Sequence, residues 1–162
     1  MRVHFVNKAR KAPGNCFRCG MAIGQGEPYR WFKFNFGPKR VYCEQHNPRP
    51  SEMTSSDKLA RLYAAQEGIA EAILSEDKEA IVTALEEAMN IAQEVGEEYE
   101  ESLNNMPEGL QQGPTGEEIQ EKVDACSSWE SELSSALGEV EDLELGSELY
   151  EAAERASDAL EI

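Results

Sequence analysis

Two short pairs of metal-capable residues, Cys16-x-x-Cys19 and Cys43-x-x-His46, stand with 23 residues between them. Each pair puts two donors within reach of one ion at a tight turn, and Gly20 frees the backbone behind the first. Three sulfurs and one imidazole make a closed tetrahedral set, which predicts a single structural zinc. A catalytic zinc needs an open position, and no nearby carboxylate and histidine pattern supplies one. The alternative is two unmetallated buried thiol pairs. The segment has few aliphatic residues, and fifty such residues can hardly bury enough surface to fold without a staple. His4 could replace His46 as a ligand but has no close-spaced partner, so a surface or strand position is expected. Cys126 lies far away in a helical pattern and reads as a small core residue.

The stretch between the pairs alternates. In "PYRWFKFNF", Arg30, Phe32, Phe34 and Phe36 face one way, and Tyr29, Trp31, Lys33 and Asn35 the other. "GPKRVYC" returns after a turn at Gly37-Pro38, so a β-hairpin is expected. A knuckle, a hairpin and a second ligand pair leading to a helix is treble-clef organisation.

Charge separates the chain into two parts. The formal net charge is −17 over 162 residues, yet residues 1–50 hold ten Lys or Arg against two Glu. Residues 51–162 hold five basic and thirty acidic residues. The expected architecture is therefore a small α+β module at 1–52 followed by an acidic all-α region at 53–162. The break "HNPRPSEMTSSD" carries Pro48 and Pro50 ahead of helix starters.

Four helices are expected, at roughly 55–74, 76–105, 116–143 and 147–161. The first has Leu59, Leu62, Ile69 and Ile73 on one face. The second repeats Ile81, Leu85, Ala88, Ala92, Val95, Tyr99 and Leu103, close to a coiled-coil heptad seam. The third carries Ile119, Val123, Cys126, Trp129, Leu133, Leu137 and Val140, with Thr115 and Glu118 in capping-box spacing. The fourth offers Leu149, Ala153, Ala156 and Leu160. Helices two and three have complementary seams, which predicts an antiparallel hairpin. Their Glu-rich outer faces repel, so packing must offset that repulsion and low salt should loosen it.

"KARKAPGNCFRCGMAIGQGEPYRW" resembles the opening of the zinc fingers of poly(ADP-ribose) polymerases. Those fingers place a basic run before a C-x-x-C, then a polar pair, an Ile and a turn into strands. The family orders its second pair H-x-x-C; here it is Cys43-x-x-His46, after a shorter loop. The resemblance implies a module that binds DNA breaks through basic and exposed apolar residues. Cys16 and Cys19 carry over directly, and Cys43 and His46 fill the same roles in swapped order. The whole chain is also similar to small uncharacterised bacteriophage proteins with a "NMPEGLQQGPTGEEIQEK" region, a likeness that implies no activity.

Lys8, Arg10, Lys11, Arg18, Arg30, Lys33, Lys39, Arg40 and Arg49 could neutralise the phosphates of DNA or RNA, with Tyr29, Trp31 and Tyr42 stacking on bases. Two other readings stand beside this one. The basic surface could only solubilise a tiny domain, or it could dock on a protein partner or on the chain's own acidic helices. The acidic helices are either a solvated bundle or a decoy whose carboxylates imitate phosphates and occupy a nucleic-acid-binding host factor. No Gly-rich phosphate loop and no nucleophile–base pair is present, so an enzyme is not expected. The expected function is that of a nucleic-acid-associated adaptor or regulator. No apolar run reaches membrane-spanning length, no secretory signal precedes the module, and the cysteine pattern suits a reducing compartment. An intracellular protein follows, in the host cytoplasm if phage-encoded.

Overall fold

In the computed structural model, which describes residues 2–162, the chain divides into two units between Ser56 and Asp57. In the first, the alternating segment Tyr29–Lys33 and its return Lys39–Cys43 pair antiparallel, with Trp31 opposite Val41 and Lys33 opposite Lys39. His4–Val6 adds to the other edge of Tyr29–Lys33. Numbered in chain order, these strands are β1, β4 and β5, in the spatial order β1-β4-β5. Two shorter strands, β2 (Gly14–Asn15) and β3 (Ala22–Ile23), pair antiparallel on either side of the first cysteine pair. A one-turn helix, α1 (Pro50–Met53), follows the second ligand pair.

The core of this unit is Cys16, Ile23, Phe32, Val41, Tyr42 and Cys43, with Tyr29, Phe34 and Met53 packed against it. Two expectations are corrected. Tyr42 is fully buried and has no face to offer a base. Phe36 does not continue the inward row of Phe32 and Phe34. β4 ends at Lys33, and the Gly37 N–H bonds the Phe34 carbonyl at 3.3 Å, so the turn ends the alternation and leaves Phe36 in solvent.

The second unit consists of α2 (Asp57–Leu74), α3 (Lys78–Asn104), the short α4 (Glu108–Gln111), α5 (Pro114–Asp142) and α6 (Ser147–Asp158). The periodic seam of α3 is buried at Ile81, Leu85, Ala88, Ala92, Val95 and Tyr99. It faces Cys126, Trp129, Leu133, Ala136 and Val140 of α5 in the same core. Asp77 caps α3 by accepting the Glu79 N–H, satisfying one of the orphan amides of the first turn.

The helices do not stop at a hairpin. α2 packs on α3 and α6, and α6 packs on α5 and α2, so all four long helices share one core. α6 closes it through alanines, with Ala152, Ala153 and Ala156 buried beside Leu149. The Trp129 Nε1 donates to the Ala156 carbonyl at 2.8 Å, and Gln66 Nε2 donates to the Ser157 carbonyl at 2.9 Å. Lys78 Nζ donates to the carbonyls of Glu141 and Leu143, capping α5 with the charge its C-terminus favours.

The start of α5 also differs from expectation. Gly113 is its N-cap and Pro114 its first residue, so Thr115 lies inside the first turn and caps nothing. Proline has no N–H to lose at that position, and its fixed φ suits the helix.

Candidate metal centre

The first cysteine pair sits in the connection between β2 and β3. The Cys16 N–H bonds the Met21 carbonyl at 2.8 Å, and the Gly20 N–H bonds the Cys16 carbonyl at 2.9 Å. Gly20 reaches this turn with φ of 72°, a conformation costly for residues with a Cβ. The Phe17 N–H then bonds the Val41 carbonyl at 2.7 Å and ties the knuckle to β5. Cys43 ends β5, and a turn closed by the His46 N–H on the Cys43 carbonyl at 3.1 Å brings the imidazole back.

Cys16, Cys19, Cys43 and His46 thereby converge, with their donor atoms all within 4.8 Å of one another. Cys19 Sγ lies 4.0 Å from Cys43 Sγ. His46 Nδ1 lies 3.7 Å from Cys16 Sγ and 3.1 Å from Cys43 Sγ. A tetrahedral ion with metal–sulfur bonds of about 2.3 Å needs sulfurs about 3.8 Å apart, so one ion fits the set. His4 is elsewhere, stacked on Trp31 with centroids 4.3 Å apart.

The thiols are unequal. Burial works against the Cys16 thiolate, but backbone groups of Cys19, Cys43 and Arg18 outweigh it and hold the thiol down to about 6. Burial, with Cys16 and Cys19 close by, pushes the Cys43 thiol up. The Cys43 rise, which burial and the neighbouring sulfurs cause, is the cost that a divalent cation held by the thiolates relieves. Cys126 takes no part: it is buried in the helical core, and burial raises its thiol to about 11.

A residue that the spacing alone did not reveal braces the centre. Glu52, in α1, accepts from Arg18 Nη2 at 2.9 Å and from the Arg49 backbone N–H at 2.8 Å. Its own carbonyl accepts from Arg40 Nη1 at 2.6 Å. Glu52 thus links the first knuckle, β5 and the helix after the second ligand pair. Pro50, suited to the first position of a helix, was the available local signal for α1.

The basic residues fall into two groups. Arg18 is paired with Glu52, and Arg40 lies over the rings of Phe17 at 4.7 Å and Phe34 at 5.2 Å. Arg30 donates to the Glu44 carbonyl and lies over Phe5, while Arg49 begins α1. Trp31 is flanked by His4 and by Lys39, whose Nζ is 4.2 Å from its ring centre, so its ring faces already have neighbours. Lys39 also reaches the Tyr29 ring at 4.9 Å. Lys8, Arg10, Lys11 and Lys33 are exposed and have no carboxylate partner among the described residues.

Among the described residues, no helix is long and apolar enough to cross a membrane. No family model matches the chain, and no curated protein or solved structure matches it.

Proposed function

We infer that the first unit is a treble-clef-like zinc module that binds nucleic-acid phosphates, joined in one chain to an acidic helical bundle. The donor set supports zinc: three thiolates and one imidazole with no place left open suit a structural Zn²⁺. The ion would be held by Cys16, Cys19, Cys43 and His46 and would supply folding energy rather than chemistry.

The observation that carries nucleic-acid binding is the imbalance of charge left after folding. Residues 1–56 contain three carboxylates, Glu27, Glu44 and Glu52. Glu52 is engaged by Arg18, and Glu27 accepts the Gly24 N–H at 2.6 Å. Lys8, Arg10, Lys11 and Lys33 therefore face solvent uncompensated, which favours a polyanion. The likeness of the first knuckle to DNA-break-binding fingers points the same way.

The test is binding of the zinc-loaded full chain to single- and double-stranded DNA and RNA across a salt series. Replacing Lys8, Arg10 and Lys11 together by Gln should flatten the log–log salt slope by about 2–3. Absence of binding to every probe at low salt overturns the reading.

A further inference from the structure

The tip of the β4–β5 hairpin presents the most exposed aromatic side chain of the molecule. Phe36 is fully solvent-exposed, while Phe32 is fully buried. The other phenylalanines have neighbours: Arg30 over Phe5, Arg40 over Phe17, and Phe32 against Phe34. Phe36 has no ring or cation contact among the described residues.

The turn is built to hold it outward. Phe34 points back onto Phe32, edge-on with centroids 5.5 Å apart, and Arg40 covers it. Gly37 turns so close to Phe34 that a Cβ there would sit 3.3 Å from the Phe34 Cβ. With Phe34 anchored inward and Gly37 tight behind it, Phe36 is left at the apex.

The last cross-strand pair below this apex is Lys33 opposite Lys39. Like charges directly opposite destabilise a hairpin. Neither lysine has a carboxylate partner among the described residues, and Lys39 instead lies against Trp31 and Tyr29. Trp31, Tyr29 and Lys33 share one face of β4, so cations and rings continue from the tip along the sheet.

We propose that this hairpin tip is a stacking post for single-stranded nucleic acid, with Phe36 as the platform for an unpaired base and Lys33 and Lys39 as phosphate contacts. The proposal rests on the nucleic-acid reading above and narrows it to unpaired strands. In a duplex the base faces are covered by their neighbours, whereas an unpaired base can lie on an exposed ring. One apolar ring is a small anchor for a bilayer, while repeated cation–aromatic contacts suit a flexible polyanion.

The test compares wild-type protein, Phe36→Ala, Phe36→Trp and the double variant Lys33→Gln/Lys39→Gln, all zinc-loaded. The probes are a single strand of about 15 nucleotides, the matching duplex, and vesicles of anionic phospholipid. The expected result is preference for the single strand, weakened about tenfold in Phe36→Ala with the salt slope unchanged, and restored in Phe36→Trp. The lysine variant should instead flatten the slope by about 1.4. Unchanged single-strand affinity in Phe36→Ala, with weakening in the lysine variant, overturns the stacking post and leaves phosphate binding standing. Loss of vesicle binding in Phe36→Ala with single-strand binding intact makes the tip a membrane anchor and overturns the proposal. Absence of binding to either nucleic acid by wild-type protein overturns both.

Discussion

Gly116, in the first turn of α5, is where a single methyl group should do most damage. A Cβ there would lie 2.0 Å from the Gln111 carbonyl oxygen and 2.5 Å from its carbon. Ordinary contact needs about 3.5 Å, so the α4–α5 connection would have to open by more than about 1 Å. The obstacle is backbone, and it is pinned: Gln111 Nε2 donates to the Leu103 carbonyl at 3.0 Å and to Met106 at 2.8 Å, closing the end of α3. Overpacking of this kind costs about 1–3 kcal/mol, which outweighs the intrinsic gain of up to about 1 kcal/mol from Gly to Ala. Gly68 in α2 and Gly138 in α5 supply the control, because a Cβ at either meets nothing within 4 Å. Alanine at each should stabilise by about 0.5–1 kcal/mol. The assay is thermal unfolding followed by Trp129 fluorescence in a Trp31→Phe background, so that the signal comes from the helical unit alone. A shift of roughly 4–8 °C per kcal/mol is expected for a unit of this size, downward for Gly116→Ala and upward for the other two. A midpoint for Gly116→Ala at or above its parent would refute the steric reasoning.

Three further outcomes follow from the packing. Trp129→Phe strands the buried Ala156 carbonyl and leaves a void, and should destabilise the helical unit by about 2–4 kcal/mol in urea unfolding followed by circular dichroism. Cys126, raised by burial to about 11, contributes stability that is full below about pH 9 and is lost as pH rises through 11. Urea midpoints of the helical unit should therefore drop between pH 8 and about pH 10.5 in wild type and drop less in Cys126→Ala. Glu52→Gln weakens the brace to Arg18 and should lower metal affinity about tenfold, since folding and metal binding are linked, as read by competition with a chromogenic chelator.

What was legible in the sequence is what rests on periodicity or local spacing. The α3 seam was readable because every fourth or third residue from Ile81 to Tyr99 must leave water together, and each of those six residues is buried. The ligand pairs were readable because each is a local turn. Their convergence comes from β5, which ends in Cys43, and from the Phe17–Val41 hydrogen bond. α1 and α4 escaped because four residues are too few to show a helical period. In α6 the period placed Ala153 and Ala156 inward, where they lie, but missed Ala152, which only packing on α2 and α5 buries. Strand alternation placed Phe34 inward but overran the turn at Phe36. Nothing local distinguishes Arg18, which finds Glu52, from Arg10, which finds no carboxylate partner among the described residues.

The central claim is that Cys16, Cys19, Cys43 and His46 hold one zinc ion. Native mass spectrometry of freshly prepared, unchelated protein tests it directly, comparing wild type with Cys43→Ser and Cys126→Ser. One zinc per chain is expected in wild type and in Cys126→Ser, with loss of the ion in Cys43→Ser. Less than about half an equivalent in wild type would contradict the claim, because closed sulfur-rich sites bind tightly. Zinc retained at full occupancy in Cys43→Ser but lost in Cys126→Ser would contradict it as well.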